Sequence, residues 1–107
     1  MTASPVEYVV TALDGTDADA LSRRLAVREA HLAGAQRLSD RGELLSGGAI
    51  LDDDGRMIGS TMHVAFADEA AFRAWYDAEP YVIGDVWRDV TVRPMRLFRP
   101  VRTTEGG

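Results

Sequence analysis

The stretch VEYVVTAL, Val6 to Leu13, places the tightest limit on how this 107-residue chain can fold. Its β-branched and aromatic residues mark a strand, and Asp14-Gly15 ends it. Side chains alternate across a strand, so Val6, Tyr8, Val10 and Ala12 share one face while Val9 and Leu13 share the other. A strand apolar at both parities must be covered on both sides. Helices can supply one cover, and something else must supply the second.

The segments that follow offer the helices. After a polar turn over residues 14–19, apolar positions run at helical spacing from Ala20 to Leu38, with Asp17 or Asp19 available as a cap. Leu25, Arg28, Leu32 and Ala35 form the expected inward stripe, and His31 falls on its flank beside Val27 and Leu38. Asp40-Arg41-Gly42 closes the helix, with glycine past the last turn. Glu43 to Leu51 is a second strand, whose Gly47-Gly48 predicts a bulge or a close backbone approach. Asp52 to Gly55 is a hairpin turn. Its acidic triplet lacks the further ligands and closing glutamate of a calcium loop.

Gly59 to Ala67 is the third strand, with His63 at the parity of Thr61 and Ala65. Asp68 caps a helix from Glu69 to Ala78, and Glu79-Pro80 opens a short helical turn towards Gly84. Val90 to Phe98 is the last strand, where Pro94 predicts an edge position or a bulge. The order β-α-β-β-α-β defines an α+β, ferredoxin-like domain over residues 6–99, with flexible ends at 1–5 and 100–107. Two helices on one face of a four-stranded antiparallel sheet leave the other face open. Apolar residues from strands 1, 3 and 4 on that face predict a homodimer, sheet against sheet.

The bulk numbers exclude several function classes. A net charge of −5 without a basic cluster disfavours nucleic acid. With no cysteine there is no disulfide or thiolate chemistry. No apolar run reaches membrane length and no signal peptide is evident, so a cytoplasmic location is expected. No phosphate-cradling loop or metal-ligand spacing stands out, so the expectation is no cofactor and no metal.

Several pieces in this order resemble the YciI-like (YCII-related) family. They are Tyr8-Val9-Val10 leading to Asp14, Arg24 to Leu32, Leu44 to Gly48, Gly59-Ser60-Thr61, Glu79-Pro80-Tyr81-Val82 and Val92-Arg93-Pro94. The resemblance implies a dimeric α/β-barrel protein with an active site centred on His31 and Asp14. It further implies Arg28, Ser60, Glu79 and Tyr81 as residues holding a small oxygen-rich substrate. The family's usual Asp-Pro-aromatic motif stands here as Glu79-Pro80-Tyr81, and an extra methylene would disturb an acid that caps or aims the histidine. Asp14, Asp77 and Glu79 are all open as the carboxylate partner of His31, with Asp14 expected.

One branch of the family resembles lyases that remove chloride from chlorinated hydroxyquinones. The reading is a cofactor-independent enzyme using a His/Asp pair for elimination or isomerisation on a small cyclic or phenolic metabolite. The alternative is a non-catalytic dimeric module that binds a small molecule or regulates a partner.

Overall fold

A computed structural model describes residues 4–100, so most of the two expected flexible ends, 1–3 and 101–107, lie outside the described residues. The chain forms β1 (Val6–Asp14), α1 (Ala20–Asp40), β2 (Leu44–Leu51), β3 (Met57–Phe66), α2 (Glu69–Ala78), α3 (Pro80–Ile83) and β4 (Trp87–Pro94). The strands pair antiparallel in the order β2-β3-β1-β4. Thus β1, apolar on both faces, lies inside the sheet.

Cross-strand partners share a face. Tyr8, Val10 and Ala12 of β1 therefore line up with Val64, Met62 and Ser60 of β3 beneath the helices. Tyr8 packs its ring 4.4 Å from that of Phe72 on α2, and Phe66 meets Phe72 and Trp75 at 5.9 and 5.7 Å. Val10, Val64, Phe72, Tyr81 and Val86 are almost fully buried there. Asp68 caps α2 by accepting from the Ala71 N–H, and Glu79 caps α3 by accepting from the Tyr81 N–H. Among the described residues no helix is long and apolar enough to cross a membrane.

Helix α1 lies on the sheet differently from the apolar expectation. Its buried residues are Ala20, Arg24, His31 and Leu38, a helical stripe half of which is polar. Leu25 and Leu32, expected inside, are 53% and 46% exposed. The helix is turned so that Arg24 and His31 point inward because both find partners there. A buried polar group with a partner avoids most of its desolvation cost. At the helix ends, Asp19 is the N-cap residue without a capping side-chain bond. Gly42 adopts φ +74°, where the Glu43 N–H returns to the Leu38 carbonyl at 2.8 Å.

The glycine pair in β2 has a bulge one step before it, with the register shifting between Leu44 and Ser46. A Cβ on Gly47 would stand 3.1 Å from the Thr61 carbonyl oxygen, a close approach between backbones. The last strand begins three residues earlier than expected and ends at Pro94. Arg88 and Asp89 obscure it in the sequence because β4 is an edge strand and exposes them.

The uncovered sheet face is less apolar than expected. Its rows run Gly48, Thr61, Thr11, Thr91, then Ser46, His63, Val9, Arg93, then Ile50, Gly59, Leu13, Asp89. The valines of β4 do not contribute, because Val90 and Val92 stand opposite Ala12 and Val10 and face the helices. His63 lies on this face as expected, hydrogen-bonded to Ser46 at 2.7 Å.

Candidate active site

Two buried polar clusters meet under α1. In the first, Arg24 Nη1 donates to Oδ1 and Oδ2 of Asp14 at 3.1 and 3.0 Å, and both side chains are 3% exposed. The other guanidinium arm, Nη2, donates to Ser60 Oγ at 2.8 Å, and Trp87 Nε1 donates to the same oxygen at 3.1 Å. Arg24 Nε is buried without an acceptor among the described residues.

The second cluster holds His31. Its Nδ1 lies 2.7 Å from Glu79 Oε1, which also accepts the Tyr81 N–H at 2.8 Å. With Glu79 ionised the bond is donated by Nδ1, which leaves Nε2 as the nitrogen free of this contact. The imidazole stacks on Tyr81, centroids 3.9 Å apart and planes within 14°. The Arg24 guanidinium lies 4.6 Å from the same ring and joins the clusters. Burial pushes the Tyr81 phenol above its ordinary range, while Arg24 and Arg28 pull it back.

The structure therefore corrects the expected pairing. Asp14 does not orient His31; it anchors Arg24, and Glu79 takes the histidine. Asp77 is exposed on α2 and makes neither contact. With its longer side chain, Glu79 both caps α3 and holds the imidazole through one oxygen. Arg24 is the residue that sequence reasoning left without a role. Its position seven before His31, two turns along one helix face, is the signal that could have found it.

Both clusters open on a cavity of about 270 Å³ between α1 and strands β2 and β3. Arg24, Arg28, His31, Ser60 and Tyr81 form its polar wall. Leu32, Leu44, Met57 and Met62 form the apolar one, and Gly47, Gly48 and Ala49 leave the β2 side low. The volume suits a single ring, since about 150 Å³ is enough for a benzene-sized ligand. A second concavity of about 470 Å³ lies beyond Asp14 towards Asp52 and Arg56 and contains neither histidine. Among the described residues, no three His, Asp or Glu side chains gather closely enough to share a metal ion.

Sheet order, helix placement and this cavity define a ferredoxin-like α+β protein whose one covered face holds a histidine site. The chain belongs to the YCII-related domain family, which it matches over residues 6–96. It is 42% identical over 95 residues to the protein YciI of Escherichia coli O6:H1, covering 83% of this chain and 95% of that one. An uncharacterised protein of Haemophilus influenzae is 36% identical over the same shares. Among solved structures, the 5-chloro-2-hydroxyhydroquinone dehydrochlorinase of Burkholderia phenoliruptrix AC1100, in complex with 2,5-dihydroxybenzoquinone, superposes with a TM-score of 0.72. That match covers 84% of this chain and 93% of the other at 19% identity, a likeness of fold.

Removing one member of the Arg24–Asp14 pair leaves a buried charge unmatched. Arg24→Met should lower stability by about 3–5 kcal/mol in urea unfolding. The double variant Asp14→Leu with Arg24→Met should recover most of that loss. Equal loss in the single and double variants would contradict the assignment.

Proposed function

We propose that this protein is an enzyme that moves a proton on a small cyclic, phenol-like compound, with His31 as general base and Glu79 as the residue that orients it. The observation carrying this reading is the 2.7 Å contact from His31 Nδ1 to Glu79 at the wall of the ring-sized cavity. The carboxylate fixes the tautomer with Nε2 bare and stabilises the imidazolium that forms when Nε2 takes a proton. Stacking on Tyr81 holds the ring plane. Glu79 is itself held by the α3 backbone, so the base is preorganised.

In an elimination, Nε2 removes a proton from the ligand. The freed electron pair forms the new double bond, and the leaving group departs with its own pair. In an isomerisation, the imidazolium returns the proton to another atom. The dehydrochlorinase of like fold, whose name declares loss of HCl from a hydroxylated ring, supports the elimination branch. Ser60, Arg28 and Tyr81 line the same cavity and hold the ligand. Asp14 acts one step removed, by fixing Arg24.

We propose further that two copies pair through the open sheet face. Small side chains in the Gly48, Thr61, Thr11, Thr91 row allow close approach, and Val9, Leu13 and Ile50 gain burial. Sedimentation at twice the chain mass is expected for the wild type and at the chain mass for Thr11→Arg. A wild-type monomer would rule out the pairing.

Chloride release from 5-chloro-2-hydroxyhydroquinone, and deuterium uptake from D2O into hydroxylated ring compounds, test the chemistry. His31→Ala should abolish both. Glu79→Gln should slow them by about 10²-fold or more, the usual range for an impaired general base. Rates that do not change in either variant would refute the assignment.

A further inference from the structure

Resting on the reading of the cavity as an active site, we propose that it takes its ring compound as an oxyanion, with Ser60 and Arg28 holding the charged oxygen. The charge of the wall is the first reason. Although the chain carries −5 overall, the charged and titratable residues lining the cavity are Arg24, Arg28, His31 and Tyr81, with no carboxylate among the described residues there. Asp14 and Glu79 are each engaged behind that wall. Asp14 matches the charge of Arg24, whereas no carboxylate among the described residues pairs with Arg28. Arg28 therefore brings a positive charge without a carboxylate partner to the cavity wall, and with Arg24 it pulls the Tyr81 phenol down against the opposing pull of Glu79 and Asp14.

Ser60 is the second reason. A hydroxyl has one proton and two lone pairs. Arg24 Nη2 and Trp87 Nε1 occupy both lone-pair sites of its oxygen. The hydroxyl is thus confined to donating, and no acceptor for it is found among the described residues. Two N–H donors, one of them charged, also polarise the O–H bond and strengthen the hydrogen bond it can give. A buried hydroxyl left to donate, on the same cavity wall as a guanidinium without a carboxylate partner, is the kind of arrangement that stabilises a negative oxygen.

The third reason is the chemistry of the neighbouring base. When His31 Nε2 takes a proton from a phenol or an adjacent ring carbon, negative charge builds on the ring oxygen. An oxygen seated at Ser60 and Arg28 would have that charge stabilised as it forms. The same contacts favour compounds whose hydroxyl is ionised on binding over neutral ethers of equal shape.

Equilibrium binding of 4-nitrophenol, whose yellow phenolate reports its own ionisation, tests the proposal against the uncharged 4-nitroanisole. The expected result is that bound nitrophenol ionises at lower pH than free nitrophenol, and that the ether binds at least about tenfold more weakly. Ser60→Ala should weaken phenolate binding about tenfold, the worth of a hydrogen bond to a charged group. Arg28 lies on the exposed helix face, so Arg28→Gln tests the charge without touching the core and should weaken binding about threefold or more. Glu79→Gln should keep phenolate binding while losing turnover, so the fate of the proton-transfer reading is separate from this one. Equal affinity for phenolate and ether would overturn the proposal. So would unchanged affinity in both Ser60→Ala and Arg28→Gln, or no phenolate binding at millimolar probe.

Discussion

Arg24 decides how α1 lies on the sheet, and the rest of the site follows from that rotation. Its guanidinium reaches the last residue of β1 and the β3 hydroxyl together, tying one helix to two strands. A buried ion pair is weak evidence for stability, because desolvating two charges offsets their attraction. What it supplies is orientation. A helix turned to bury Leu25 and Leu32 would strand Asp14 in the core and carry His31 away from Glu79. With Arg24 inside, the residue two turns on is brought to the only buried carboxylate left without a cation among the described residues.

Glu79 makes the second half of the arrangement economical. One oxygen closes the first turn of α3 and fixes the imidazole, so the fold of the short helix and the tautomer of the histidine depend on the same atom. Pro80 at the first helical position needs no N–H partner, which leaves the Tyr81 N–H as the donor that meets the carboxylate. Tyr81 then offers its ring to the histidine it has helped to position. The result is an imidazole held by backbone geometry at the wall of a cavity that Arg24, Arg28 and Ser60 also line.

Much of this was legible in the residues. Element order, the turn at Gly42, the cap of α2 and the start of α3 at Glu79-Pro80 follow from local patterns, and the structure carries them. The second cover that β1 calls for is not supplied within the chain, where Leu13 is 42% exposed. The face of α1 did not follow, because counting apolar positions assumes that polar residues turn outward. Arg24 and His31 break that rule only because their partners arrive from β1 and α3, distant in sequence. The choice among Asp14, Asp77 and Glu79 failed for the same reason: each was plausible by spacing, and only tertiary placement separates them. The start of β4 was hidden by Arg88 and Asp89, ordinary residues for an exposed edge. The open face is less apolar than expected because the apolar residues of β4, Val90 and Val92, are turned by their register to the helices.

Held by Glu79, neutral His31 should carry its proton on Nδ1 and leave Nε2 bare. Long-range proton–nitrogen NMR of the imidazole measures this directly. Neutral His31 should show the Nδ1–H tautomer in the wild type and lose it in Glu79→Gln. An Nε2–H tautomer, or a spectrum unchanged by Glu79→Gln, would contradict it.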